Sequence, residues 1–175
     1  MEANVTQDEI SKLPLASKAV FAIACARIAR DGFARRQLSN PPEQLESVLL
    51  EAERLGRLPS APSNEKAALV QEISQLVARA DLEPASQWKS ALARSIRAAV
   101  EVLLLESGAV DVQLMATKLA NEAYRWALHA TRTAPLGAAV PAEREFQVKI
   151  REVFDALRES VPAPRSTDGG AQQSS

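Results

Sequence analysis

The stretch AVFAIACA, Ala19 to Ala26, decides the fold of this chain. It is apolar nearly all round the helix that it would form, and a helix without a polar face belongs inside a protein rather than on its surface. Pro14 stands at a first-turn position, where its missing N–H costs little, and Gly32 is a typical helix terminator. We therefore predict a central helix from about residue 15 to residue 33.

Five more predicted helices follow along the chain. Asn40, Pro41 and Glu43 supply a cap, a first-turn proline and a capping-box carboxylate for the second helix, which should end near Gly56. Apolar residues at helical spacing predict a third helix over 64–80, a fourth from 84 to before 108, a fifth capped by Asp111 and a sixth from about 141. The expected buried stripe of the fifth helix is Met115, Leu119, Ala123, Trp126 and Ala130.

About six helices joined by short loops predict an all-α, antiparallel, single-domain bundle around one core. The high alanine content favours helix and lets neighbouring helices approach closely. We assign residues 1–12 to a polar lead, 13–160 to the bundle and 161–175 to a disordered tail, because the tail has too little apolar content to offset the cost of ordering it.

Charge and composition narrow the range of partners. The net charge is −1, so no global field draws the chain onto nucleic acid or an acidic membrane. A single cysteine cannot form an internal disulfide, the N-terminus does not have the pattern of a secretory signal, and no apolar run has the length of a membrane span. We expect a cytoplasmic protein that has no membrane partner.

The segment CARIARDGFARR, Cys25 to Arg36, is the first candidate site. Cys25 has apolar neighbours three and four residues away, which predicts a buried side chain rather than a reactive thiol. Arg27, Arg30, Arg35 and Arg36 could bind a phosphate or an acidic partner. Pairing within the chain is the more ordinary explanation, because the next helix carries the acidic residues Glu43, Glu46, Glu51 and Glu53.

The fifth helix carries the second candidate site. Glu122, Trp126 and the lone His129 fall at i, i+4 and i+7, so they could line a pocket together with Trp88 for a small ligand or for acid–base chemistry. The structural alternative is that the tryptophans anchor the core and that His129 lies on the surface near the helix end.

Catalytic and cofactor motifs are absent from the sequence. One histidine and one cysteine cannot make a zinc site of the usual kinds, and the paired Glu-x-x-His of a di-iron bundle is missing. The sequence also lacks the phosphate-binding loops and the G-x-S-x-G nucleophile motif. We expect no cofactor, and we favour a non-enzymatic protein over an enzyme. We disfavour nucleic acid as a partner because the helix after the arginine cluster is acidic.

Two resemblances add to this interpretation. LPLASKAVFAIACARIARDGF followed by PPEQLESVLLEAERL resembles the start of an uncharacterised bacterial family of alanine-rich helical proteins that share an A-x-x-C-A-R segment. More distantly, the chain resembles all-α immunity-type proteins of bacterial conflict systems, which bind a cognate toxin. Neither resemblance brings site residues, but both imply a protein partner. We expect a non-enzymatic protein-binding module, with a ligand pocket or a phosphate contact as alternatives and the oligomeric state open.

Overall fold

The structure, a computed structural model, describes residues 4–35, 43–58, 63–82, 87–105, 111–133 and 139–160. These ranges contain seven α-helices and no strand, so the predicted all-α bundle is confirmed. No helix among them combines the length and the apolar character of a membrane span. The helices are α1 (Gln7–Ser11), α2 (Leu15–Arg35), α3 (Glu43–Gly56), α4 (Ser63–Asp81), α5 (Gln87–Leu104), α6 (Val112–Arg132) and α7 (Ala139–Ser160).

The helix α2 lies at the centre, as predicted, in contact with α3, α5, α6 and α7. Phe21, Cys25 and Ala26 on it are wholly buried, which also confirms the prediction for the cysteine. Gly32 does not end the helix, which continues to Arg35. Gly32 is buried beside a small cavity that it shares with residues of α6 and α7, so packing keeps this turn helical despite the poor helix propensity of glycine.

The polar lead contains a short helix that the sequence analysis did not predict. In α1 the Thr6 hydroxyl accepts from the Glu9 N–H at 3.2 Å, and the Glu9 carboxylate accepts from the Thr6 N–H at 2.9 Å, which completes a capping box. Ile10 and Leu13 are buried in the common core, and Arg151 of α7 donates to Glu9 at 2.9 Å. This part of the lead therefore packs with the bundle, whereas the predicted tail, 161–175, lies outside the described residues.

The start of α6 differs from the predicted cap. Asp111 directly precedes the helix, but its backbone is left-handed, with φ of 61°, and its side chain makes no capping hydrogen bond. The predicted cap for the second helix, Asn40, lies outside the described residues, although α3 ends at Gly56 as expected.

The buried face of α6 differs in part from the predicted stripe, of which Ala123 and Ala130 are wholly buried. Met115 is 50% exposed, and the buried face consists largely of small residues such as Ala116, Ala120, Ala123 and Ala127. Because these side chains are short, α5 and α6 approach closely enough for the Ser95 hydroxyl to donate to the Ala123 carbonyl at 2.7 Å. Alanine on this helix therefore marks the interhelical contact, which a search for large apolar residues misses.

Candidate functional site

Arg27 is the centre of an ion-pair network between α2 and α3. Its guanidinium donates to both oxygens of Glu46, at 3.0 and 3.1 Å, and it forms two further hydrogen bonds to Glu53. Burial lowers the pKa of Arg27, but the hydrogen bonds to Glu53 and Glu46 outweigh this effect and raise the pKa above its ordinary value. The three side chains are only about a fifth to a quarter exposed, so Arg27 is held in one orientation.

Arg30 joins the same network one turn further along α2. Its Nη1 lies 3.3 Å from Asp31, and its Nε lies 2.7 Å from Glu46. The Nε–H of Arg30 forms no hydrogen bond despite that short distance, because its hydrogen is not directed at the carboxylate oxygen. The contact between Arg30 and Glu46 is therefore an ion pair without a hydrogen bond from Nε. Pairing within the chain therefore occurs for Arg27 and Arg30. The side chain of Arg35 and all of Arg36 lie outside the described residues, so their binding role stays a prediction.

A second group of ion pairs links α3 to α4. Arg54 lies 2.5 Å from Glu51 and 3.2 Å from Glu65 of α4. Arg57, one turn later, forms no ion pair with a carboxylate of the described residues. Arg57 is thus an exposed cation, and the arginines near it, Arg27 and Arg54, are paired with glutamates.

Exposed apolar side chains flank these charges. Val20 on α2 is 45% exposed, and Leu50 and Leu58, on and just after α3, are 55% and 43% exposed. We call this surface the α2–α3 face, and it comprises Val20, Ala24, Arg27, Leu50, Glu53, Arg57 and Leu58.

Two depressions open on the α2–α3 face, and Arg57 lines both. One, of about 250 Å³, lies between α2 and the end of α3, and the other, of about 530 Å³, lies beside Leu50 and Leu58. A methyl group added at Gly56 would approach the Ile23 side chain to 3.2 Å. Glycine at this position therefore lets the end of α3 pack closely against Ile23 of α2.

The predicted pocket forms only in part. Trp126 and His129 share a surface depression of about 220 Å³, where their rings lie 5.8 Å apart in an edge-on arrangement. Trp88 is buried, with 3% exposure, and does not line the depression. Glu122 is absent from it too and lies close enough to Glu101 to add to the rise in that residue's pKa, which burial mainly causes. The structure therefore does not unite the four residues.

Three of the residues that α4 and α5 contribute to that depression form a hydrogen-bonded group, which the sequence analysis missed. The Arg94 guanidinium lies 5.2 Å from the centre of the Trp126 ring and donates to Asp81 at 2.6 Å. Ser90 donates to the same carboxylate. The spacing of residues along the chain does not predict this group, because its members and Trp126 lie on α4, α5 and α6, which meet only in the folded protein.

A sequence signal did exist for the α2–α3 face. The buried positions of α3 follow helical spacing, and Leu50 falls outside that stripe although it is large and apolar. The buried positions are Leu45, Val48, Leu49, Ala52 and Leu55.

Metal chemistry has no support among the described residues, since no group of three or more His, Cys, Asp or Glu side chains is placed to hold an ion.

The chain matches no protein-family model, no curated protein sequence and no solved structure. The resemblances noted from the sequence therefore stay predictions.

Proposed function

We propose that this chain is a non-enzymatic module that binds another protein through the α2–α3 face. The observation that carries the proposal is the combination of exposed aliphatic side chains with an arginine–glutamate network already held in place. Arginine is enriched at protein interfaces, and a side chain that is ordered before binding loses less entropy when the partner arrives.

The partner that this surface fits is a helix with aliphatic side chains and one carboxylate. The smaller depression runs between two antiparallel helices, and its walls include Val20 and Ala24. A helix in such a groove is a recurring mode of peptide recognition, with apolar anchors one turn apart. Arg57 supplies the charge complementarity, because it is the cation of the face that no described carboxylate neutralises.

Arg27 is a poor phosphate ligand in this arrangement. Glu46 and Glu53 already accept hydrogen bonds from all three of its nitrogens, so an anion would have to displace a carboxylate. This competition disfavours the phosphate and nucleic-acid alternatives at Arg27, although it does not bear on Arg36.

Affinity capture from a lysate of the source organism tests the proposal with matched variants. Leu50→Asp places a charge on the α2–α3 face, and Arg57→Glu reverses the cation there that no described carboxylate pairs with. Leu82→Asp is the control, because Leu82 is 82% exposed at the end of α4, away from the face. All three positions are exposed, so we expect melting temperatures close to that of the parent chain.

Capture of a protein alone does not support the proposal. The supporting result is one stoichiometric partner that the parent chain and Leu82→Asp retain and that Leu50→Asp and Arg57→Glu lose. A partner retained equally by all variants contradicts the choice of surface. Immunity-type activity is a special case, in which the captured protein is a toxin that the chain inhibits.

The depression at Trp126 supports a second candidate, small-ligand binding. Arg94, Trp126 and His129 place a guanidinium, an aromatic ring and an imidazole within one surface feature, where the guanidinium is paired with Asp81. A metabolite that binds there raises the melting temperature by mass action, and Trp126→Ala should abolish that rise. No response across a broad metabolite panel would count against this candidate.

A further inference from the structure

Lys18 is the largest of the wholly buried side chains, with 0% exposure. It lies in the first turn of α2, where its backbone N–H bonds to the Pro14 carbonyl at 2.9 Å. No carboxylate among the described residues forms an ion pair with it, unlike Arg27. A buried ammonium without a counter-ion is costly, so the protein environment favours the uncharged amine.

The hydrogen bonds of Lys18 fit the uncharged amine. Its nitrogen lies 2.6 Å from the side-chain oxygen of Gln113 and 3.5 Å from the backbone oxygen of the same residue. A neutral amine has two N–H groups for these two acceptors and keeps a lone pair, whereas an ammonium would bury a third N–H that has no described acceptor. Burial also lowers the pKa of Lys18 from its ordinary value, in agreement with this count.

Gln113 separates this amine from an open cleft of about 430 Å³ between α1 and α6. The cleft is lined by Gln7, Asp8, Ser11, Gln113, Leu114 and Thr117. All of its lining residues except Leu114 carry a polar or charged group, and the charged one, Asp8, is paired with the exposed Lys12 at 3.5 Å. Gln113 itself is exposed and bonds the Lys18 nitrogen, so it is a described side chain that links this amine to the cleft.

We propose that Lys18 is a nucleophilic amine that captures a small polar aldehyde from this cleft as a Schiff base. The nitrogen lone pair forms a bond to the carbonyl carbon, the amine gives up both protons, and the carbonyl oxygen leaves as water. The product is an imine, R–CH=N–Lys18, and the balance needs no oxidant or reductant. Desolvated lysines are the ones that enzymes use for this chemistry, because they are unprotonated near neutral pH.

Reductive labelling of the intact chain tests the proposal. The protein is treated with glycolaldehyde and cyanoborohydride at pH 7, digested, and mapped by mass spectrometry. Lys118 is the internal control, because it is exposed on the same helix as Gln113. Burial lowers the pKa of Lys18 and so enlarges the fraction of its amine that is unprotonated at pH 7, and we expect it to react at least about tenfold faster than the control.

The pH dependence of the labelling rate shows whether Lys18 differs from an exposed lysine, and this measurement needs no variant. Because burial lowers the pKa of Lys18, we expect the labelling rate at Lys18 to rise less between pH 7 and pH 9 than the rate at the exposed control. A Lys18 rate that is no faster than that of Lys118 at pH 7, or that rises in parallel with it, overturns the proposal.

Two controls cover unfolding and specificity. Alkylation of the buried Cys25, measured in the same sample, reports transient opening of the core, and labelling of Lys18 that tracks this alkylation also overturns the proposal. Lys18→Met should remove the fast-reacting site, whereas Lys118→Arg should leave it unchanged.

Discussion

Replacing Arg27 by Met should destabilise the bundle by about 2–3 kcal/mol. The substitution keeps most of the aliphatic stem and removes the guanidinium, which leaves Glu53 without a described partner and Glu46 with its contact to Arg30 alone. Hydrogen bonds to charged groups contribute about 1.5–3 kcal/mol each, and leaving a charge unpaired in a buried site costs about 3–5 kcal/mol. Water reaches Glu46 and Glu53, which are 25% and 22% exposed, so we take a value below that range.

Urea unfolding at pH 7, followed by helical circular dichroism, measures this loss as a lower midpoint at constant slope. The expected fall in melting temperature is about 5–10 °C for a domain of this size. Arg79→Met is the matched control, because Arg79 is exposed on α4 and forms no ion pair with the described residues, and it should change stability by less than about 0.5 kcal/mol.

A double-mutant cycle with Glu53→Gln assigns the loss to the contact itself. We expect a coupling energy of about 1–2 kcal/mol between the two positions, because the residues are in direct contact. An Arg27→Met variant as stable as the Arg79→Met control would refute the view that the network is structural. It would then return Arg27 to the residues available for an external anion.

Three further outcomes test other parts of the structure. The hydrogen bond from Arg151 lowers the pKa of Glu9 from 4.5 to about 2, so this stabilisation is present above pH 4.5 and is lost as the pH falls toward 2. Glu9→Gln should therefore cost about 1 kcal/mol at pH 7, after allowance for solvent screening, and progressively less in unfolding experiments below pH 4. Ala120→Leu should cost about 1–3 kcal/mol in urea unfolding by overpacking a position with 0% exposure, whereas Met115→Leu at a half-exposed position should be neutral. The Cys25 thiol, whose pKa burial raises, should react with a disulfide reagent only at the rate of global unfolding.

Much of the architecture follows from local rules. The apolar run Ala19 to Ala26 predicted a central helix, and α2 is central because a segment without a polar face is stable only when other helices cover it. The burial of Cys25 followed from its neighbours at helical spacing. The end of α3 at Gly56 followed from the weak helix propensity of glycine.

The sequence predicted which residues could belong to each candidate site, but not which of them would be in contact. The sequence placed Arg27 near a helix that carries four glutamates, but it did not say that Glu46 and Glu53 would be the partners. It grouped Glu122 with His129 by spacing on one helix, while the neighbours of His129 in the fold include Arg94 from α5.

The sequence by itself determined that this protein is a bundle of helices, because propensity, capping and apolar periodicity act within about one turn of the chain. Tertiary structure alone decided which face of α6 is buried, which charges meet and that the Lys18 side chain is buried with its amine against Gln113. These outcomes depend on distances between helices, which are set by the small side chains at their contacts and not by the spacing of residues along any one helix.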